Sequence, residues 1–342
     1  MGRITASRKI TSVRVRDGRL FHSEKPDHVA VEEPLDLRLN GEPLSLTMRT
    51  PGHDVELAHG FLHAEGLIAS RQDVIEARYC DGAVVAGEDG LERNTYNVLD
   101  ISTHRRDLLD GRDQRRFAMN SSCGVCGSTS IDAVVTEGRY RVSADASCPA
   151  PMRITPDAVL SAVRHLSDGQ SVFQRTGGVH AAGIAAPTGD MLVVREDVGR
   201  HNAVDKVIGW ALQRDLLPLA GMMLVVSSRA SFEIVQKAYM AGVPMVVCAS
   251  APSSLALATA ERVGMTICGF TRAAQPEGLS ASVRGQGALG RVKGAVGRGQ
   301  AAKARSHGVP ELAETDGRFN LYTGADRLDL SASESAPRPS IK

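Results

Sequence analysis

Aromatic residues are scarce in this 342-residue chain: Phe, Tyr and Trp together make up 4%, with a single tryptophan. A core must therefore be assembled from Val, Leu, Ile, Ala and Met. No apolar run reaches the roughly 20 residues that a membrane-spanning helix needs. The opening stretch MGRITASRKITSVRVRDGRL has no apolar h-region, and Ala6 stands where a myristoylation signal has Ser or Thr. Charge of neither sign dominates. The formal net charge is +1, so no global field steers the chain to nucleic acid or to an anionic membrane. The expectation is a cytoplasmic protein whose six cysteines are reduced thiols. What is present is a globular composition, 42% hydrophobic and 23% charged, in a chain long enough for one large domain or two ordinary ones.

After an N-terminal tail, 1–24, the first lobe (25–150) reads as strand-rich. LDLRLNGEPLSLTMRT alternates leucines around Asn40-Gly41, the pattern of a hairpin with a tight primed turn. Asp54 is placed to cap the helix that follows, with Val55, Ala58, Phe61 and Leu62 on one face and Gly66 at its end. NTYNVLDI, IDAVV and RYRVS read as further strands. Prolines 149, 151 and 156 mark a connection between lobes. From 151 to 330 strands alternate with helices, which implies βαβ units and a sheet covered on both faces. One stretch, 273–317, interrupts this pattern. It is rich in Gly, Ala, Arg and Lys, and it carries six Lys or Arg and no Asp or Glu between Gly278 and His307. It reads as a disordered solvated insertion, and the absence of interleaved aromatics argues against nucleic acid. The tail 331–342 reads as disordered.

NSSCGVCGSTS places Cys123 and Cys126 three apart, each followed by glycine. Such a pair can hold a metal, cycle as a disulfide or carry a group on sulfur. A structural zinc site needs four ligands, and no second CxxC exists, so no metal is assigned. A thioredoxin-like pair would open a helix after a buried strand, and FAMNSS is a poor buried strand. Cys248 and Cys268 lie in apolar runs and read as buried small hydrophobes, and Cys80 and Cys148 receive no role. His59 and His63 have metal-ligand spacing, but no acidic partner completes a known signature, so surface or capping roles are expected.

Three strand ends in the second lobe are chemically rich. REDVGRHNAVDK brings Arg200 and His201, SSRAS brings Ser228, Arg229 and Ser231, and ASAPSS brings Ser253. RTGGVH adds His180 beside a backbone that a ligand can approach closely. Each junction alone is ordinary helix capping. Three on one edge, with arginine in two, favour a nucleotide or dinucleotide site. VHAAG is similar to the H-x-E of zinc deaminases but has Ala182 in place of the glutamate, so a deaminase-like fold without deaminase chemistry is expected.

The pieces ELAHGFLHAEGLI, NSSCGVCG, FQRTGGVHAAGIA, REDVGRHNAVDKVIG, SSRASFEIVQKAYMAGVP, CGFTR and RFNLYT together resemble the FdhD/NarQ family, sulfur carriers required for formate dehydrogenase activity. The resemblance implies an α/β protein: a three-layer α/β/α C-terminal lobe similar to the cytidine deaminase fold, with a smaller strand-rich N-terminal lobe. It implies a sulfurtransferase-like carrier that takes persulfide sulfur from a cysteine desulfurase and hands it to the molybdenum (or tungsten) bis(guanine dinucleotide) cofactor of formate dehydrogenase. Cys123 matches the persulfide cysteine and Cys126 its partner. Phe270, Thr271 and Arg272 match cofactor contacts, and a GDP- or GTP-like ligand and a homodimer are also implied. In the family GFTR runs almost directly into RFNLYT. Here the insertion intervenes, and Arg318 restores the contact if the insertion loops out. The alternatives are a CxxC dithiol oxidoreductase and a structural zinc protein that binds a partner enzyme.

Overall fold

The computed structural model describes residues 3–80, 84–86, 92–94, 97–109, 138–140, 142, 153–273 and 316–331. Cys123 and Cys126, Cys148, the expected IDAVV strand, the interior of the insertion and the C-terminal tail from 332 lie outside the described residues.

The chain opens with β1 (Thr5–Arg16) and β2 (Arg19–Ala30), an antiparallel hairpin turning at Asp17-Gly18. The stretch before residue 25, marked by sequence only as a tail, is therefore paired strand. Then β3 (Glu33–Leu39) and β4 (Glu42–Arg49) form the expected hairpin, with Asn40 and Gly41 both at positive φ as a primed turn requires. They join β5 (Val74–Tyr79) and β8 (Val98–Thr103) in a four-stranded sheet of order β4-β3-β8-β5. The short β6 (Val84–Ala86) and β7 (Glu92–Asn94) pair apart.

Helix α1 (Asp54–Ala64) covers this sheet with Leu57, Ala58, Phe61 and Leu62 against Leu35, Leu37, Leu39, Leu99 and Ile101. Its cap is not Asp54, as the sequence suggests, but His53 at φ 59°. Asp54 is buried and takes two bonds from Arg49, at 3.1 and 2.9 Å, one from the Gly52 N–H at 3.2 Å and one from the Tyr79 hydroxyl at 3.0 Å. A carboxylate so engaged has no lone pair to spare for capping.

The second lobe holds α2 (Pro156–Asp168), α3 (Ser171–Thr176), β9 (His180–Ala185), β10 (Met191–Asp197), α4 (Arg200–Leu212), β11 (Met223–Val226), α5 (Phe232–Met240), β12 (Met245–Cys248), α6 (Ser254–Val263), β13 (Thr266–Ala273) and β14 (Gly317–Thr323). The sheet order is β10-β9-β11-β12-β13-β14, with β11, β12 and β13 parallel and the outer strands antiparallel. Its side chains alternate as period 2 demands. Leu224, Val226, Val246, Cys248 and Ile267 pack under α4, α5 and α6, whereas Met223, Val225, Met245, Val247 and Cys268 pack against α2. This is the expected three-layer α/β/α lobe. Burial pushes the Cys248 thiol up to about 11 and Cys268 to about 12, so both are inert core residues.

The lobes meet where α1 crosses α4. A Cβ on Gly60 would overlap the Asp205 carbonyl, and one on Gly209 would overlap that of Glu56. Two glycines facing backbone let the helices touch. Polar groups finish the seam. Asp197 accepts from Thr50 N at 3.1 Å and pairs with Lys206 at 2.7 Å, and Lys206 donates to Thr50 O at 2.9 Å. His59 and His63, expected in surface or capping roles, are buried here. His59 Nδ1 meets Val55 O at 2.7 Å and His63 Nε2 meets Met240 O at 2.9 Å. A helix packed on two sides has no free polar face.

Candidate functional site: the carboxyl edge of the six-stranded sheet

Strand register brings the sequence candidates to one edge. His180 opens β9 and pairs with Asp197 at the end of β10. Ala182 pairs with Val226, and Val226 with Cys248, so β11 and β12 end at the same level. Ser227 fixes this level by donating N–H to Ala181 O at 3.0 Å and accepting Ala181 N–H on Oγ at 2.9 Å. The Phe270 N–H donates to Ser250 O at 3.1 Å, and Arg272 pairs with Arg318 across β13 and β14. Arg200, Arg229, Ser253, Phe270 and Arg318 thus stand along one row. Five strand spacings give it a length of about 24 Å.

The side chains differ in what they offer. Arg229, Ser253, Phe270, Arg272 and Arg318 are exposed, and His180 is half-buried. Phe270 has φ 52° and lies where the β13–β14 register shifts. A bulge of this kind re-aims a side chain out of the sheet, and Phe270 is 44% exposed. Thr271 is fully covered, and its Oγ1 has no partner among the described residues. Arg200 Nε is likewise buried and unpartnered. An orphaned buried polar atom costs about 1–3 kcal/mol, a cost that a bound polar group relieves. Two candidates are engaged within the protein. The Ser228 hydroxyl donates to Arg229 O at 3.0 Å, and Ser253 caps α6 through Ala256 N at 3.3 Å. Arg272 folds back, bonding Thr271 O at 2.9 Å and the Ala249 carbonyl.

At the β10 end, His201 sits between Glu233, 2.8 Å from Nδ1, and Ser231, 3.1 Å from Nε2. Burial works to raise the Glu233 carboxyl, but the His201 contact together with the charges of Lys237 and Arg200 holds the group below its ordinary value. Burial lowers His180, aided by the charges of Arg200 and His201, so the ring is held toward its neutral form. Glu233 falls within SSRASFEIVQKAYMAGVP but receives no role from the sequence. Its signal is its place in the first turn of a helix opened by Ser231.

The ends of the insertion meet here as well. Ala273 and Gly317, inside the insertion by sequence, are paired strand residues. The strand RFNLYT therefore takes its place beside β13, and Arg318 lies across from Arg272. Among the described residues no group of three His, Cys, Asp or Glu is arranged to hold a metal ion, and no helix is long and apolar enough to cross a membrane.

Comparison with known proteins agrees with this architecture. The profile of the FdhD/NarQ family matches residues 30–284. The chain is 48% identical over 276 residues to the sulfur carrier protein FdhD of Corynebacterium efficiens, covering 80% of this chain and 96% of that one. It is 48% identical over 273 residues to that of Streptomyces coelicolor, covering 80% and 92%. A crystal structure from Desulfotalea psychrophila, named for a formate dehydrogenase accessory protein, matches at TM-score 0.55 and 24% identity over 78% of this chain and 93% of that one, a likeness of fold. The two-lobed architecture, the motifs along the sheet edge and the extent of these matches agree: the chain belongs to the FdhD/NarQ family.

Proposed function

We propose that this protein is a sulfur carrier serving formate dehydrogenase, and that it holds sulfur as a persulfide on Cys123. The observation that carries the reading is the 48% identity, over four fifths of the chain, to proteins named as sulfur carriers. The sheet edge supports it. A row about 24 Å long with arginines at both ends suits an elongated anionic cargo better than a compact one. The bis(guanine dinucleotide) form of the molybdenum cofactor has that shape and charge.

The chemistry balances without an external oxidant at loading. The Cys123 thiolate attacks the outer sulfur of a cysteine desulfurase persulfide, and the donor's thiolate leaves. Cys123 then carries S–SH. Cys126 then attacks the inner sulfur and expels hydrosulfide for the cargo, leaving a Cys123–Cys126 disulfide that a thiol must reduce. At the edge, Arg200 and Arg229 hold phosphates by charge-assisted bonds, Phe270 offers a stacking surface for a guanine base, and Arg272 and Arg318 hold the far end.

The test is intact mass after incubation with a cysteine desulfurase and free cysteine. The expected result is an increment of one sulfur atom, absent in Cys123→Ser. No increment, with free thiols and an active desulfurase, would overturn the reading and leave the dithiol oxidoreductase.

A further inference from the structure

A helix-capping Ser or Thr ordinarily turns its hydroxyl to an amide of the first turn. Ser253 does so at 3.3 Å and Thr155 at 3.2 Å. Ser231 holds the same position at the start of α5 and makes no such bond. Its Oγ lies instead 3.1 Å from His201 Nε2, and Glu233 Oε2 lies 2.8 Å from the Nδ1 of the same ring. Hydroxyl, imidazole and carboxylate stand in line. A neutral ring with its proton on Nδ1, turned to the carboxylate, presents the Nε2 lone pair to the serine hydroxyl.

We propose that Ser231, His201 and Glu233 form a hydrolytic site for esters or thioesters bearing an anionic group, with Ser231 as nucleophile, His201 as general base and Glu233 as positioning residue. The order of the three is that of a nucleophile, its base and the group that orients the base. His201 and Glu233 side chains are 25% and 26% exposed, so a substrate reaches them. The first-turn amides of α5 have no intrahelical acceptors and receive no capping bond from Ser231. Free amides at a helix start are the kind of donor an oxyanion requires. Arg200, next to His201, and the exposed Arg229, two residues before Ser231, supply the attraction for an anionic substrate. The charges acting with His201 are those of Glu233 and Asp205 on the acidic side and His180 on the basic side, and Arg200 acts on Glu233 and His180.

The step is redox-neutral. His201 Nε2 takes the Ser231 proton as Oγ bonds the acyl carbon, and the carbonyl electron pair moves to oxygen. Collapse breaks the bond to the leaving alcohol or thiol, which takes the proton from His201. Water, deprotonated by His201, then releases the acid and restores Ser231. Neither cysteine takes part, although Arg200 and Arg229 serve both this site and the cargo edge.

The full chain is treated with a fluorophosphonate probe and the adduct is mapped by peptide mass. Hydrolysis of mono-p-nitrophenyl succinate is followed in parallel. The expected adduct is on Ser231, and turnover falls about 100-fold or more in Ser231→Ala and His201→Gln. Glu233→Gln lowers kcat with KM little changed, because the ring loses the group that orients it, and a packing role would not split the two constants in that way. No adduct, an adduct elsewhere, or undiminished turnover in Ser231→Ala overturns the proposal. Mapping on the unmodified protein decides the matter even if a variant fails to fold. Persulfide loading of the same preparations is read separately, so failure of one reading is distinguishable from failure of the other.

Discussion

The seam between the lobes and the carboxyl edge of the six-stranded sheet use the same kinds of residue to opposite ends. At the seam Asp197, Asp205, Lys206 and Lys237 are all buried and all paired. At the edge Arg229, Arg272 and Arg318 are exposed, and Arg200 keeps a buried Nε without a partner. A buried, satisfied charge cannot meet a ligand without being torn from its partner. An exposed or half-satisfied one can. Exposure and satisfaction, rather than residue type, separate the structural polar groups from those free to bind.

The largest effect that would break this contrast is at the seam. Lys206→Met leaves Asp197 buried without its cation, and a loss of about 3–5 kcal/mol in denaturant unfolding is expected. A loss near zero would mean that Asp197 is not held as described. Gly60→Ala forces a methyl into the Asp205 carbonyl, and overpacking of this kind costs about 3 kcal/mol. A thermal melt checks it, with Gly41→Ala, where a Cβ meets open space, as a strained turn to compare.

Acid sharpens the contrast further. Burial opposes ionisation of Glu56, but the Arg195 pair at 2.5 and 2.8 Å, together with His53, holds its carboxyl down at about 2. A depressed carboxyl contributes stability that is full above about 4.5 and is lost as pH falls toward 2. Burial also lowers His59 and His63, so protonating them on unfolding erodes stability as pH drops below about 6.5. Acid titration followed by circular dichroism should therefore show loss beginning below 6.5. In Arg195→Met the carboxylate part should move to higher pH. An unmoved transition in that variant would remove Glu56 from the account.

At the edge the signs reverse. Arg200→Ala with Arg229→Ala should leave the melting temperature almost unchanged, since Arg229 is exposed and Arg200 buries an Nε that has no partner to lose. Guanine nucleotide affinity should fall by about 10-fold or more, the worth of one charge-assisted bond. Undiminished affinity would place the binding site elsewhere. The smallest effect is expected for replacing 274–316 with an Asn-Gly turn. Ala273 and Gly317 are already cross-strand partners, so a tight turn closes the hairpin. The melting temperature should then change by only a few degrees.

Much of this was legible in the sequence where one principle acted alone. The buried strands MLVV and MVVC, the Asn40-Gly41 turn and α4 follow from apolar period and turn chemistry. The first hairpin was not legible, because β1 and β2 alternate little and are exposed on both faces. The sequence shows that α1 has an apolar face toward its sheet. It does not show that the opposite face, with His59, Gly60 and His63, packs against the second lobe. The edge was legible as three motifs, but its convergence depends on register between strands far apart in the chain. The same holds for Ser231 and His201, 30 residues apart. Ser228 and Ser253 show the converse, since residue types suited to phosphate proved to be occupied by the backbone.

The central claim is that sulfur held on Cys123 passes to a formate dehydrogenase. Its most direct test loads the protein with radiolabelled sulfur, removes the donor and adds the inactive dehydrogenase. The account predicts that label moves to the dehydrogenase-bound cofactor as formate oxidation appears, and that Cys123→Ser gives neither. Label that stays on the carrier, or leaves only as free sulfide while the dehydrogenase stays inactive, would contradict it.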